Sequence, residues 1–103
     1  MAQASHTIIL LQADPSYESR TFLDFANVAL SIDAIVKMFE HKLREMNPRI
    51  QQITYDVSDL FKYIDGFHDI CALVFDRNSA KYDPKDRNWI KEKIYNLLRK
   101  QAA

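Results

Sequence analysis

Few side chains in this sequence have a type and spacing that could carry out chemistry. The three histidines, at positions 6, 41 and 68, are far apart, and Cys71 is the only cysteine. Cysteine catalysis needs a histidine base and an orienting group, and zinc sites repeat cysteines and histidines at short spacings. A single glycine is too few for a phosphate-binding loop. The sequence therefore predicts no catalytic residue, no metal site and no cofactor, and we expect a protein that is not an enzyme.

Length, composition and charge predict one small domain. The chain has 103 residues, of which 48% are hydrophobic, so residues 1–103 suit a single compact fold. Basic and acidic residues cancel at 14 each, which argues against a protein whose main task is to hold nucleic acid. Residues 77–103, however, carry 8 basic and 3 acidic side chains. A weak RNA-binding surface on the basic last helix stays open, beside the simpler interpretation of a solvated helix face.

The sequence also bears on where the protein works. The apolar stretch at residues 7–11 is too short for a signal peptide, and no basic segment precedes it. No stretch approaches the ~18 apolar residues of a membrane span. A lone cysteine suits a reducing compartment. We therefore expect a soluble, intracellular protein with no membrane partner.

The apolar stretch at residues 7–11 predicts a strand that is buried on both faces. Successive side chains of a strand point to opposite faces. One row is therefore His6, Ile8, Leu10 and Gln12, and the other is Thr7, Ile9 and Leu11. Both rows are apolar at their centres, as they are again at residues 69–76, whereas a face turned to water would be polar. We expect helices to cover one face and a second copy of the protein to cover the other. The first row has polar ends around its apolar centre, like an interface and its rim, and is therefore the candidate for the dimer interface.

Three helices are predicted from apolar spacing and capping residues. The longest runs from Thr21, as its N-cap, to Asn47, with apolar residues spaced by three and four. A second helix is capped by Asp56 or Ser58 and ends near Gly66, and a third is capped by Asp86. Each assignment joins a local capping signal to a helical stripe, so all three helices are expected to pack on a common core.

Two short strands complete the predicted order β-α-β-α-β-β-α. Residues 53–55 are β-prone and are expected to form an edge strand. Residues 81–83 are expected to form the return of a hairpin that starts from the strand at residues 69–76. The sequence has no internal repeat and no low-complexity segment, so a mixed α and β fold is expected.

The long predicted helix carries a second apolar row outside its main stripe. An exposed apolar groove is how adaptor proteins bind a partner's segment, although core packing is the simpler explanation for any one of these residues. The candidates for such a groove are Leu23, Val28, Ile35, Met38 and, on the last helix, Trp89.

Thr21 also carries a modification signal. Asp24 lies three residues after the hydroxyl, which is the minimal pattern of an acidic-directed kinase. A phosphate at a helix N-terminus is electrostatically favourable. Helix capping explains the same two residues more simply, and both roles are compatible.

Six segments of the sequence are distinctive as a set. They are residues 5–12 (SHTIILLQ), 20–21, 53–56 (ITYD), 60–61, 64–65 and 89–95 (WIKEKIY). Together they resemble the enhancer of rudimentary homolog family. The resemblance covers nearly the whole chain, and the last block is highly specific.

The resemblance implies a fold and a function. Similar proteins are α+β, with three helices on one face of an antiparallel sheet and a homodimer formed through the other face, at positions that match Ile8 and Leu10. They are non-enzymatic adaptors that bind peptide segments of RNA-processing proteins, in splicing, transcript elimination and small-RNA biogenesis, in nucleus and cytoplasm. The family's kinase site matches Thr21 with Asp24 retained, whereas a second phosphorylated serine of relatives falls at Asn27.

Overall fold

Four strands form one antiparallel sheet in a computed structural model that describes residues 5–102. In chain order the elements are β1 (Thr7–Gln12), β2 (Arg20–Phe25), α1 (Val28–Met46), α2 (Val57–Asp65), β3 (Asp69–Asp76), β4 (Lys81–Lys85) and α3 (Arg87–Ala102), with a 3-10 turn at Tyr17–Ser19. The order across the sheet is β2-β1-β3-β4. The α+β class is therefore confirmed, as are a strand at residues 69–76 and a hairpin return from it, although this return runs to Lys85 and contains Pro84. The row of β3 that contains Ile70 and Ala72 is buried, whereas the row that contains Cys71 and Leu73 is partly exposed, so residues 5–102 do not supply the expected cover of both faces.

The predicted long helix starts too early, because residues 20–25 form β2 and α1 begins only at Val28. The apolar residues of this stretch fit either structure: Leu23 and Phe25 lie on one side of a strand, whereas Phe22 and Phe25 lie on one side of a helix. Pairing decides between the two, since β2 aligns with β1 along its whole length and Leu23 lies opposite Ile9.

The N-caps of the helices follow from local hydrogen bonds. Asn27, rather than Thr21, caps α1, and its side-chain oxygen accepts a hydrogen bond from the Leu30 N–H at 2.9 Å. Asp86 is confirmed as the cap of α3, and Asp56, rather than Ser58, caps α2. The Asp56 carboxylate accepts hydrogen bonds from two backbone N–H groups in the first turn of α2, and Asp86 caps α3 in the same way at 2.9 Å.

Residues 53–55 do not form the predicted edge strand and lie in the irregular segment between α1 and α2. Tyr55 packs edge-on against Phe39, with ring centroids 5.0 Å apart, and its hydroxyl donates to the Glu40 carboxylate at 2.6 Å. These contacts hold the segment against α1 instead of the sheet. The order of elements is therefore β-β-α-α-β-β-α, and β2 is the strand that the sequence did not reveal.

One face of the sheet carries the helices and the hydrophobic core. Helix α1 packs on β1 and β2, α3 packs on β3, and α2 contacts both other helices. The β1 row of Thr7, Ile9 and Leu11 points into this core, as predicted, and no member is more than 8% exposed. The remaining core residues are Ile32, Ile35, Val36, Phe39, Leu60, Ile64, Ile70, Ala72, Ile90 and Ile94.

Candidate interaction surfaces

The sheet face opposite the helices is apolar at its centre. The register places Ile8 opposite Leu73 and Leu10 opposite Cys71, so that four apolar side chains of β1 and β3 adjoin one another. Leu10 is 37% exposed, and the other three are partly exposed. We call this surface, with the flanking residues described next, the open face. No helix in residues 5–102 packs on it.

The edge strands extend the apolar surface of the open face. Phe22 on β2 lies opposite Leu10 and is 68% exposed. On β4, Pro84 and Tyr82 extend it in the other direction, and the Tyr82 ring contacts Phe75 edge-on with centroids 5.3 Å apart. The apolar surface thus crosses all four strands. Contiguous exposed patches of this kind mark binding surfaces, unlike single exposed apolar residues.

A shallow hollow of about 340 Å³ lies in the open face. Leu10, Phe22 and Cys71 line it together with charged residues that include Asp69. Burial raises the pKa of the Cys71 thiol, and the negative charge of Asp69 raises it further. A raised pKa keeps the thiol protonated near neutral pH, so Cys71 acts here as a small apolar side chain.

His6 occupies one end of the open face. Its ring nitrogen Nδ1 lies 2.7 Å from the Tyr82 hydroxyl, and Nε2 lies 3.7 Å from the Asp24 carboxylate. The imidazole therefore joins polar groups from both edge strands, β2 and β4, across the start of β1. Polar groups around an apolar centre are the usual arrangement of a protein interface and its rim.

Gln12 occupies the other end of the open face, where the chain itself covers it. The residue is only 7% exposed. Its amide donates to the Ser16 carbonyl oxygen at 3.3 Å, and its side-chain oxygen accepts from Arg20 at 3.4 Å. The four predicted interface residues share one face, but Gln12 leaves a second copy little surface to bury. That a second copy contacts Ile8 and Leu10 stays a prediction.

The five predicted groove residues do not form one surface. Ile35 is wrong for a groove, because α1 turns it into the core, where it is 2% exposed. Leu23, Met38 and Trp89 are half-buried and pack against that core. Val28 lines a pocket, described next. Helical spacing thus identified apolar residues without showing which of them face the molecule's own sheet.

A pocket of about 700 Å³ lies between the start of α1 and the end of α3. We call it the α1–α3 pocket. Its α1 side is apolar, and its α3 side carries three cations and no carboxylate among the residues that the structure describes. The lining residues are Val28, Ala29, Ile32, Lys93, Asn96, Leu97, Arg99 and Lys100. The spacing of residues 93, 96, 97 and 100 marks one helix face, but the sequence does not show that the start of α1 lies beside it.

A second pocket, of about 510 Å³, lies between the end of α1 and α2. Its lining contains cations, Lys42 and Lys62, together with the carboxylate of Asp59. Tyr63 and Phe67 also line it, and their rings contact edge-on with centroids 5.2 Å apart. Because both signs of charge are present, this pocket favours no partner of one charge over another.

Thr21 is exposed, but it lies on the edge strand β2 and not at the start of a helix. The expected gain from a helix dipole at a phosphate on this residue is therefore wrong, since that effect acts only within the first turn of a helix. Asp24, three positions along the strand, points to the opposite face of the sheet. Phosphorylation of Thr21 stays a prediction, with its hydroxyl accessible to a kinase.

Titratable groups of the described residues, 5–102, form no cluster of three that could hold a metal ion. His41 and Glu45 form a pair on the surface of α1, where they lie 2.8 Å apart. In the same part of the chain, no helix has the length and apolar character needed to cross a membrane.

Three helices on one side of a four-stranded antiparallel sheet, with an apolar opposite side, define a class of small α+β proteins whose accessible features are surfaces and shallow pockets. The family model for Enhancer of rudimentary matches residues 3–103 of the chain. The chain therefore belongs to the enhancer of rudimentary family, and the resemblance of its six distinctive segments is confirmed.

Individual relatives agree with this family over nearly their whole length. The chain is 45% identical over 97 residues to the Enhancer of rudimentary homolog of Arabidopsis thaliana, which spans 94% of this chain and 89% of that protein. It is 44% identical over 98 residues to the homolog of Dictyostelium discoideum, spanning 95% and 98%. Protein enhancer of rudimentary of Drosophila virilis is 43% identical over 98 residues, spanning 95% and 94%.

Proposed function

We propose that this chain is a homodimeric adaptor, without enzymatic activity, that holds peptide segments of partner proteins in RNA-processing complexes. Family membership supports a small regulatory protein. The resemblance of the sequence to the family supports the setting in splicing, transcript elimination and small-RNA biogenesis, in nucleus and cytoplasm. The observation that carries the dimer is the open face, an apolar sheet surface on which no helix of residues 5–102 packs.

The open face carries enough accessible apolar surface for association. Fully burying a large apolar side chain contributes about 1.5–3 kcal/mol, and Leu10, Phe22 and Tyr82 are 37%, 68% and 41% exposed. A two-fold axis buries every residue twice. With Ile8 and Leu73 added, the total is on the order of 10 kcal/mol, which is comparable to an association cost of about 4–15 kcal/mol. Burial of the open face therefore offsets an association cost in the lower half of this range, which is the condition for a stable dimer.

The shape of the open face suits a symmetric pair. In a two-fold dimer the same patch faces itself, so one subunit must offer both protruding and receding parts. Phe22 protrudes, with 68% of its surface exposed, beside a hollow of about 340 Å³. The polar groups around His6 lie at one end, where an interface rim is expected.

Leu10→Arg tests the dimer directly. The change places a charge without a partner at the centre of the apolar patch, where a second subunit would bury it. In an isolated subunit the long side chain can reach water, because this position is 37% exposed. We expect the wild type to be a dimer and the variant a folded monomer, measured by light scattering with chromatography and by circular dichroism.

Leu30→Arg is the matched control. Leu30 is 50% exposed, on α1 and away from the open face, so the same substitution should leave the dimer intact. A wild type that stays monomeric at high concentration contradicts the proposal. Equal dimerisation of the wild type and the Leu10→Arg variant contradicts it as well, since the open face would then not be the interface.

A further inference from the structure

We propose that the α1–α3 pocket binds an acidic, amphipathic segment of a partner protein, with apolar side chains in the pocket and carboxylates against the cations of α3. This inference rests on the adaptor part of the proposed function and gives it a location and a partner chemistry. It does not depend on the dimer, because the pocket lies between α1 and α3 on the helix side of the sheet, opposite the open face.

The cations of α3 fall into two groups, and only the first group forms hydrogen bonds or ion pairs within the chain. Arg87 donates to the backbone carbonyl oxygens of Phe67 and His68, and Lys91 forms an ion pair with Asp65 at 2.6 Å. The second group lines the pocket and has no carboxylate partner among the described residues. Its members are Lys93, Arg99 and Lys100. Their charge is left for a partner to neutralise.

Aromatic rings hold two of the pocket's cations in position without neutralising them. The Lys93 ammonium lies 5.4 Å from the centre of the Trp89 ring, and the Arg99 guanidinium lies 5.7 Å from the centre of the Tyr95 ring. Cation–π contacts of this length are attractive and leave the positive charge intact. The cationic rim is therefore partly preorganised, which lowers the entropy lost when carboxylates bind.

The floor of the pocket requires an apolar occupant. Ile32 is 3% exposed and forms part of the core below the pocket. Ala29 is a small residue at the start of α1, and the absence of a larger side chain there leaves room above that floor. The first turn of α1 also contains no acidic residue, so the helix opposite the cations does not supply the missing carboxylates. The complementary ligand is thus apolar at its centre and acidic at its sides.

RNA fits the same cations less well. Proteins that bind single-stranded RNA combine basic grooves with aromatic side chains on which bases stack. None of the described residues that line the α1–α3 pocket is aromatic, and the nearby rings of Trp89 and Tyr95 already contact Lys93 and Arg99. The basic character of the last helix is therefore better explained by an acidic peptide than by RNA. The binding experiment includes RNA as the competing ligand.

Fluorescence anisotropy with a synthetic helical peptide tests the proposal. The probe has about four turns, with leucines at helical spacing on one side and glutamates beside them. Two control peptides replace the leucines by serine or the glutamates by glutamine, and we expect each to bind about tenfold more weakly. A uridine oligonucleotide of equal charge should also bind about tenfold more weakly than the probe, since it lacks the apolar component.

Protein variants then locate the site. Lys100→Glu should weaken probe binding about fivefold by reversing one charge, whereas Lys42→Glu, the same change near the other end of α1, should leave it unchanged. Ala29→Trp fills the pocket without altering charge and should abolish binding. The monomeric Leu10→Arg variant should bind like the wild type, so a failed dimer and a failed pocket give different results.

Three outcomes would overturn the proposal. Equal losses from Lys100→Glu and Lys42→Glu would show only general attraction between charges. Binding of the glutamine peptide as tightly as the probe would show that the pocket does not recognise carboxylates. Preference for the oligonucleotide over the probe would assign the cations of α3 to RNA.

Discussion

The two faces of the sheet are built from the same kinds of residue but are covered differently. Ile9 and Leu11 point towards the helices and are 0% and 8% exposed, whereas Leu10, between them on β1, is 37% exposed. Both rows of this strand look alike in the sequence. Alternating apolar rows predict that both faces of a strand will be buried. Only the packed structure shows which of the two faces the chain's own helices bury.

Truncating one residue from each face should produce the largest contrast. Ile9→Ala removes buried atoms from the closed core and should lower the free energy of unfolding by about 2–5 kcal/mol. Leu10→Ala removes atoms that are partly in water within one subunit and should cost less than about 1.5 kcal/mol there. Urea denaturation at low protein concentration measures both values.

Protein concentration separates the two faces further. The loss caused by Ile9→Ala should persist at every concentration, because the core belongs to a single chain. The loss of unfolding free energy caused by Leu10→Ala should grow as protein concentration rises. Dimerisation stabilises the folded state by mass action, and it should stabilise the wild type more than the variant. If the losses of unfolding free energy at both positions depended on concentration in the same way, a second subunit would not be what distinguishes the two faces.

The reactivity of Cys71 shows, without any mutation, whether a second subunit covers the open face. It is the only cysteine of the chain, and it lies opposite Leu10. If a second subunit covers the open face, the rate of modification by a thiol reagent should fall about tenfold as concentration passes through the dimer range, because a shielded thiol is less accessible. A rate that is independent of protein concentration would show that nothing covers this face.

The pH dependence of the same reaction provides its internal check. Burial and the charge of Asp69 raise the pKa of Cys71, and the thiolate is the reactive form. The rate at low protein concentration should therefore reach half of its maximum at a pH above about 8.5, which is the midpoint for an ordinary cysteine. A midpoint at or below this pH would mean that the thiol is not buried in the isolated subunit.

Much of the fold could be predicted because its signals are local or long. The strands β1 and β3 are apolar in both rows. Asp56 and Asp86 accept hydrogen bonds from backbone N–H groups only two or three residues further along the chain, in the first turns of α2 and α3. The stretch at residues 20–25 offered no such certainty. Six residues are too few to separate periods of 2 and 3.6, and the partner that decides, β1, is distant in sequence.

The candidate surfaces were harder to predict, for the same reason. Ile35 and Val28 lie seven positions apart on α1, yet one is part of the core and the other lines the α1–α3 pocket. Their surroundings depend on where α3 crosses α1, which no local pattern encodes. The apolar centre of the open face was predictable, because Ile8 and Leu10 belong to a single strand, whereas the α1–α3 pocket joins residues more than sixty positions apart.

The start of α1 gives the smallest and most specific test of where the sheet ends and the helices begin. Asn27→Ala removes the side chain that accepts the Leu30 N–H and should lower the free energy of unfolding by about 1 kcal/mol. Thr21→Ala changes an exposed position on an edge strand and should cost about 0.5 kcal/mol or less. The opposite ranking, measured by urea denaturation, would place the helix start at Thr21, remove β2 from the sheet and leave Phe22 outside the open face.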